Sequence, residues 1–448
     1  MLQPIIASEL ILSKAHKVLF ILRSMRETAN HLALKVVFKL KTSILVIPLA
    51  SKLHPLERLK ARIDEVKAYF EKMDAKVEVY EVLSSFKDFE KLESVEADLY
   101  VIMFLTGGTS RLGYRLYLQL PHPKVLLAHR GDNSFPSAME AKARLKLRGL
   151  DAELYLTDLS SLTVLEKLKQ LSLGGRIFKA LKNAKVGLVS SFERWYTDRL
   201  KLVNVRPEEL LKILNEKSVG FETYLRKLKA YKVFVKEDAL ADALKLYFAL
   251  KRIVEDKGLK AIAVNCFEII KLKGITPCIA FALLNDEGIP AICEADLNAG
   301  LIFLALYMLS GSAWMGNITS YDEYENTLTL AHCTAMFKLA EGGSVSLKTH
   351  FETDQSVSVD VELKQGKVTL ASTSLDGGFI AVTTGRIVAS SLGRPDLCRT
   401  QVKVKLNVPV SRYLKEIEAN HQVLAYGNFV ESLKAFSWAL NLKFKEVL

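Results

Sequence analysis

Two regions with different hydrophobic periods follow each other along this chain, and together they limit the folds it can adopt. Short apolar runs, such as residues 44–49 and 99–105, alternate with amphipathic helical segments as far as residue 264. After about residue 340 the pattern changes to short runs of period two that are separated by glycines. The first pattern is typical of parallel sheets covered by helices, and the second is typical of an antiparallel sheet or a small barrel.

The length of the chain predicts several domains. It has 448 residues, of which half are hydrophobic, and this is ample for more than one buried core. We predict an N-terminal helical extension over residues 1–40, a first α/β domain over 41–182 and a second over 183–290. A C-terminal domain with antiparallel strands and a final helix should cover 291–448. In open parallel sheets, ligands bind beyond the carboxyl ends of the strands.

The net charge of +12 raises the question of a nucleic-acid partner. The basic residues are spread along helical patterns, are mixed with acids, and form no run interleaved with aromatic residues. We therefore expect no nucleic-acid partner. A nucleic-acid-binding protein stays open as an alternative, and it predicts binding that weakens steeply with salt.

Nothing in the apolar segments predicts a membrane partner or a secretory signal. Residues 297–320 carry no charge, but they contain glycines and are flanked by acids, which favours a buried helix followed by a strand. Glu9, Lys14 and Lys17 interrupt the apolar N-terminus. The five cysteines include no CxxC motif, which favours reduced, buried thiols over a zinc site. We expect a soluble cytoplasmic protein.

One stretch of this basic chain is acidic. Residues 261–345 contain nine Asp or Glu against three Lys. Two apolar runs in it end on carboxylates, the first at Glu268 and the second at Glu294 and Asp296, and acids in an apolar setting need a partner. Glu268 and Asp296 are therefore candidate cation ligands and general acid/base groups. The alternative is that they are helix N-caps or surface strand ends.

Two local patterns near these acids leave alternatives open. If the strand before Glu294 continues, Glu294 and Asp296 point to one face, whereas a turn would make them diverge. His421, which precedes a strand, is a candidate metal ligand or acid/base group, or else a hydrogen-bonded histidine at a strand start.

Further polar positions are candidates for substrate binding. Gly107 and Gly108 follow a strand, where their backbone N–H groups could bind an anion or a sugar hydroxyl, although no nucleotide fingerprint is present. His129 ends the next strand. With Asn420 and His332, these residues form our candidate substrate-binding set, and for His332 a half-buried, hydrogen-bonded histidine is the alternative.

Taken together, an ordered set of motifs resembles the L-fucose isomerase family, which is related to L-arabinose isomerase, and most closely its fucose-isomerase-like members. The resemblance spans residues 43 to 440. The residues that carry it are Cys266-Phe267-Glu268, Pro277-Cys278, Asp286-Glu287-Gly288-Ile289-Pro290, Cys293-Glu294-Ala295-Asp296, His332-Cys333, Thr349-His350-Phe351-Glu352, Cys398-Arg399-Thr400-Gln401, Asn420-His421, Tyr426-Gly427, Leu105-Thr106-Gly107-Gly108-Thr109 and the segment from His129 to Pro136.

The resemblance implies a fold, a metal and an assembly. The fold would be α/β, with two open doubly wound α/β domains followed by a domain with an antiparallel β-barrel. A glutamate, an aspartate and a histidine of the family hold a divalent cation, usually Mn²⁺, and they fall on Glu268, Asp296 and His421. Mg²⁺ or Co²⁺ could take its place. The partners would be a monosaccharide substrate and further copies of the chain, in a trimer or hexamer.

These residue types fit the chemistry of a metal-dependent aldose–ketose isomerase. The reaction moves a proton between C1 and C2 of an open-chain sugar, and a hard cation stabilises the enediolate intermediate. Glu268 and Asp296 would remove and return the proton.

The sequence departs from the family pattern at Ser110, Arg111, Asn317, Asn428 and in the segment 190–196. A sugar-binding or regulatory descendant without catalysis is therefore the alternative.

Overall fold

The computed structural model of this protein describes residues 41–92, 95–191 and 198–448. The predicted N-terminal helical extension, residues 1–40, lies outside the described residues, and so does most of the segment 190–196. Three groups of strands organise the described chain, and they are taken here in chain order.

A parallel sheet comes first. Its elements are β1 (Ser43–Leu49), α1 (Leu56–Phe70), β2 (Lys76–Val79), a 3-10 helix (Phe86–Leu92), β3 (Leu99–Phe104), α2 (Ser110–Gln119), β4 (Lys124–His129), α3 (Ser134–Lys146), β5 (Leu154–Thr157) and α4 (Leu162–Lys182). The strand order is β2-β1-β3-β4-β5. Leu45 and Ile47 pack into a core on one face, and Ile44 and Val46 into a core on the other, which explains the continuous apolar run.

A second parallel sheet follows. Its segment contains β6 (Lys185–Val189), β7 (Lys201–Val205), α5 (Pro207–Ile213), α6 (Phe221–Lys229), β8 (Lys232–Val233), α7 (Glu237–Asp256), β9 (Ala261–Val264), α8 (Cys266–Lys273), α9 (Cys278–Asp286) and β10 (Ala291–Ile292). The strand order is β10-β9-β6-β7. Strand β10 lies just beyond the boundary predicted at residue 290, and the domain boundaries stay predictions.

The last part of the chain contains most of the antiparallel strands. Its elements are a 3-10 helix (Cys293–Ala295), α10 (Leu297–Ser310), β11 (Trp314–Asp322), β12 (Thr327–His332), a 3-10 helix (Phe337–Leu339), β13 (Ala340–Lys348), β14 (Ser358–Leu363), β15 (Gly366–Thr373), β16 (Phe379–Ser390), β17 (Thr400–Leu406), α11 (Val410–Glu416), β18 (His421–Tyr426), α12 (Val430–Ala439) and β19 (Lys443–Glu446).

Six of these strands close into an antiparallel barrel. They follow the order β15-β18-β11-β12-β17-β16, and pairing of β15 with β16 closes the ring. Closure leaves none of the six as a free edge. Strand β19 adds to β16, and β13 and β14 form a small separate sheet with β8. The predicted fold class, parallel α/β sheets followed by an antiparallel barrel, is confirmed.

The barrel begins earlier than the change of sequence pattern at residue 340 suggested. Strands β11 and β12 precede that point, while the period-two run of β13 and β14 belongs to the small sheet. Every residue of β12 is buried, although its sequence, Thr-Leu-Thr-Leu-Ala-His, begins with alternating polar and apolar residues.

Helix α10 connects the second sheet to the barrel. All of its residues except Ser310 are buried, and it packs against β18. The prediction of a buried helix followed by a strand in residues 297–320 is confirmed. No described helix is both long and apolar enough to cross a membrane. Because Asp296 directly precedes α10, the packing of this helix brings that residue to the start of β18.

Candidate metal centre

A turn after β10 separates two neighbouring carboxylates. The strand ends at Ile292, and φ is 58° at Glu294 and 51° at Ala295. Left-handed backbone is unfavourable for residues other than glycine, so surrounding contacts must hold this turn. The strand does not continue, and the carboxylates of Glu294 and Asp296 reach different nitrogens of one ring, that of His421.

Both carboxylate oxygens of Asp296 have partners. Its Oδ1 accepts hydrogen bonds from the backbone N–H groups of Asn298, at 3.1 Å, and Ala299, at 3.0 Å. Asp296 is therefore the N-cap of α10, as one of the two sequence interpretations predicted. Its Oδ2 lies 2.7 Å from Nδ1 of His421. The same side chain thus starts the helix and orients the histidine.

The barrel places two histidines side by side. Asn317 of β11 pairs with Ala331 of β12 on one side and with His421 of β18 on the other. His332, the next residue after Ala331, is therefore near His421, and the two ring centroids are 5.8 Å apart. The Nε2 atom of His332 lies 3.5 Å from Oε1 of Glu294, and that of His421 lies 3.7 Å from Oε2.

The spacing of these atoms fits ligands of a common cation. Both Nε2 atoms are buried and have no hydrogen-bond partner among the described residues, and N–H···O bonds are usually about 2.9–3.0 Å long. Two ligand atoms about 2.1 Å from one tetrahedral ion lie about 3.4 Å apart. The observed 3.5 and 3.7 Å are close to that value. Glu294 can therefore share a divalent cation with either imidazole, although His421 lies outside the group of mutually close donors that contains Glu294 and His332.

A thiol belongs to the same group of donors. Cys293, Glu294 and His332 each offer one ligand atom, and these three atoms lie within 4.8 Å of one another. The thiol widens the range of metals that the donor set could accept, because sulfur favours softer ions than carboxylate does.

The charges of the centre balance one another. Burial by itself would raise the pKa of Glu294, but the imidazoles of His332 and His421 outweigh it and hold this pKa well below its usual range. Burial would likewise lower the pKa of His421, but Asp296 and Glu294 raise it to about 9. A proton on His421 thus supplies positive charge to the two carboxylates, and a cation at the centre would replace it.

Glu268 belongs to the segment of the second sheet and follows Cys266 and Phe267, which line the cavity beside Glu294. It lies in the first turn of α8, directly after β9, and its Oε2 accepts a hydrogen bond of 2.9 Å from the backbone N–H of Ser191. In the described chain, Glu268 does not share a close donor group with Asp296 and His421. The structure thus brings two of the three sequence-predicted ligands into contact, and the full set stays a prediction.

Two predicted substrate-binding residues lie in or beside the centre. His332 contributes its ring as described. Asn420 donates from Nδ2 to Oδ1 of Asn317 at 2.8 Å, and its own Oδ1 accepts from the backbone of Ile318. These contacts tie β18 to β11, so in this conformation the Asn420 side chain has a supporting role.

The other three predicted substrate-binding residues belong to the first sheet. A Cβ on Gly107 would lie 2.9 Å from Cβ of Asn133, and Gly108 has φ of 76°, so both positions favour glycine. The Nε2 atom of His129 lies 2.9 Å from the carbonyl oxygen of Leu105. Among the described residues, none of the first sheet lines the cavity beside Glu294. Their role in binding stays a prediction.

A cavity of about 30 Å³ adjoins the centre. It can contain one ion or water molecule, whereas pockets that enclose small molecules measure about 300–1,000 Å³. A sugar would therefore have to bind outside it or displace its walls. The cavity is lined by all five cysteines of the chain, together with Glu294, His332, His350 and other residues.

Sequence reasoning missed Glu294 and His332 as possible ligands. Glu294 was noted only as a neighbour of Asp296, because its left-handed backbone has no signature in the sequence. His332 belongs to the predicted substrate-binding set, and its closeness to His421, 89 residues further along the chain (421 − 332), has no signature in the sequence.

The fold and the site together define a class of protein, one with parallel α/β sheets, a closed six-stranded barrel and a histidine–carboxylate centre at strand ends. No family model matches the chain. The chain is similar to sulfoquinovose isomerase from Clostridium sp. (strain MSTE9), with 27% identity over 216 residues. The match covers 45% of this chain and 47% of that relative, so it spans about half the length of each.

Proposed function

We propose that this protein is a sugar isomerase that interconverts an aldose and a ketose and requires a divalent cation. The observation that carries the proposal is the pair of buried Nε2 atoms of His332 and His421, which face the two oxygens of Glu294 and have no hydrogen-bond partner in the part of the chain that the structure describes. Similarity to a sugar isomerase over part of the chain supports the same class of reaction.

Three side chains would hold the cation. Glu294 and His332 are already close, and the ring of His421 would move towards them when the cation binds. One carboxylate and two imidazoles form a set that favours Mn²⁺ or Co²⁺ over Mg²⁺. When bound, the cation supplies Lewis-acid stabilisation of negative charge on the sugar oxygens. Asp296 holds Nδ1 of His421 and so directs Nε2 towards the centre. Direct ligation by Asp296 and Glu268, as the sequence predicted, is the alternative arrangement.

Glu268 is the acid/base group of this proposal. Its half-buried carboxylate has one backbone N–H partner in the described chain, so it keeps lone pairs for a proton. It would remove the proton from one of C1 and C2 and return it to the other. Asp296, the second sequence-predicted acid/base group, is less suited because both of its oxygens are engaged.

The substrate would be a monosaccharide bound outside the small cavity. Because the cavity is too small to enclose a sugar, its size supports the expectation that a neighbouring copy of the chain completes the sugar site, in a trimer or hexamer. The mass of the assembly in solution, measured by light scattering, tests that expectation independently of activity.

Isomerisation in D₂O tests the proposed reaction. The purified chain, stripped of metal and then supplied with Mn²⁺, is incubated with pentoses, deoxyhexoses and sulfoquinovose, and products are followed by NMR. We expect aldose–ketose exchange with deuterium incorporated at C2, only in the presence of metal. Glu268→Gln should lower kcat by at least about 100-fold.

Glu341→Gln is the matched control, because Glu341 is an exposed glutamate of the same chain. It should retain full activity. Equal activity with and without metal would refute the proposal. Sugar binding without deuterium incorporation would instead support the non-catalytic alternative.

A further inference from the structure

All five cysteines of the chain meet at one place. They line the cavity beside Glu294 and His332, and all are free thiols. The proposed isomerase reaction needs none of them. Five thiols gathered around one small cavity therefore call for a separate chemical explanation.

Two of these thiols lie at adjoining ends of neighbouring strands. Cys333 directly follows β12, and Cys398 lies two residues before β17, and these strands pair so that His332 is opposite Thr400. Continuing that register puts Cys333 opposite Arg399, one residue from Cys398. With about 4.5–5.5 Å between opposite Cα atoms and a rise of about 3.3 Å per residue, the Cα atoms of Cys333 and Cys398 come to about 5.6–6.4 Å apart, within the range of about 4.4–6.8 Å that a disulfide needs.

Access distinguishes this pair from the other close thiols. The Sγ atoms of Cys266 and Cys293 are 3.7 Å apart, but each residue is only 6% exposed. Cys398 is half-buried and is the most exposed of the five cysteines. A small oxidant dissolved in water can therefore reach the Cys333–Cys398 pair through Cys398, whereas the Cys266–Cys293 pair is closed to it.

We propose that Cys333 and Cys398 are a modification site that forms a reversible disulfide with hydrogen peroxide. One sulfur attacks a peroxide oxygen, the O–O bond breaks, and a sulfenic acid and one water form. The other sulfur attacks the sulfenic sulfur, the S–S bond forms, and hydroxide leaves with the thiol proton as a second water. The two thiols supply the two electrons that reduce the peroxide.

The disulfide would act on the candidate metal centre through the end of β12. Cys333 is the residue after His332, and an S–S bond of about 2.05 Å is much shorter than the separation of two sulfur atoms that are not bonded. Closing that gap displaces the backbone next to His332. The oxidised protein should bind Mn²⁺ at least about tenfold more weakly, because groups that orient a metal ligand typically contribute that much to metal affinity. This expectation rests on the proposed function.

Peptide mapping of the full chain tests the proposal. The protein is treated with one equivalent of hydrogen peroxide, free thiols are blocked with N-ethylmaleimide in denaturant, and it is digested with trypsin and a glutamate-specific protease. Cleavage after Lys260, Glu268, Lys273, Glu287, Glu294, Glu325, Lys338 and Arg399 puts each cysteine in a different peptide. We expect linked Cys333 and Cys398 peptides that separate on treatment with dithiothreitol.

Two variants sharpen the result. Cys398→Ser should abolish the link, while Cys266→Ser removes a thiol of the buried pair and should leave the link in place. A main product that joins Cys266 to Cys293, or complete blocking of all five thiols after peroxide, would overturn the proposal. If the link forms but the reduced protein binds no Mn²⁺, the thiol assignment holds and the metal assignment fails.

Discussion

Replacing Asp296 with asparagine keeps its helix cap and removes its charge. Asparagine is as good an N-cap as aspartate, but it has one oxygen where aspartate has two. With that oxygen capping α10, the amide NH2 group takes the place of Oδ2, so it can only donate to Nδ1 of a neutral His421 and no longer accepts a hydrogen bond from it. Because Asp296 contributes to the raised pKa of His421, we expect that pKa to fall from about 9 in Asp296→Asn.

The structure sets the size of the expected effects. If Asp296 only orients His421, Asp296→Asn should weaken Mn²⁺ binding about 10- to 100-fold, or about 1.4–2.8 kcal/mol. Asp296→Ala also removes the cap of α10, which costs about 1 kcal/mol. It leaves Nδ1 of His421 buried without a partner as well, for about 1–3 kcal/mol more. The alanine variant should therefore lose about 2–4 kcal/mol of unfolding free energy, and the asparagine variant far less.

Calorimetric Mn²⁺ titration and urea unfolding measure the two quantities separately. Glu294→Gln is the reference, because the proposal makes Glu294 a direct ligand and predicts complete loss of binding. If Asp296→Asn loses binding as completely as Glu294→Gln while its unfolding free energy is unchanged, Asp296 is a direct ligand. That result would refute the positioning role inferred from its hydrogen bonds.

Two further predictions concern the charge of the centre and the first sheet. His421 has its pKa raised to about 9, so in the metal-free protein at pH 7.5 it carries a proton that Mn²⁺ must displace. Calorimetry in buffers of different ionisation enthalpy should give about one proton released per ion, falling as the pH rises above that pKa; no release at pH 7.5 would contradict the assignment. Gly107→Ala should lower the free energy of unfolding by about 1–3 kcal/mol, since the added Cβ meets Asn133 at 2.9 Å. Gly131→Ala, whose Cβ would meet its nearest atoms at 3.4 Å, is the control and should change little in the same urea unfolding measurement.

The raised pKa of His421 also makes stability depend on pH. The folded-state pKa of about 9 lies above the usual value, so the stabilising contribution is complete below about pH 6.5 and is lost as the pH rises towards 9. Bound Mn²⁺ should remove most of this dependence, because it replaces the proton.

Much of the fold could be predicted because its determinants are local. The buried strands β1, β3 and β4 are apolar without interruption, and amphipathic helices separate them, which predicts a parallel sheet. Strands β11 and β12 were not assigned to the barrel. Strand β12 begins with alternating polar and apolar residues but lies before the change of pattern near residue 340, and a glycine and a tryptophan open β11.

The site was predictable only in part. The sequence led to Asp296 and His421, which lie in contact although they are 125 residues apart. It did not lead to the place of Glu294 between two imidazoles, because that depends on a left-handed turn. The contacts that hold such a turn come from distant parts of the chain, so no local pattern predicts it.

The sequence by itself determined the order of sheets and barrel, the buried helix α10 and the acidic character of residues 261–345. Hydrophobic periodicity and charge are properties of short segments, so they can be recognised without knowing which segments pack against each other. Tertiary structure alone decided which nitrogen of His421 meets which carboxylate, and that His332 joins it. Those distances follow from the register of β11 with both neighbouring strands and from closure of the barrel, which couple residues far apart in the chain.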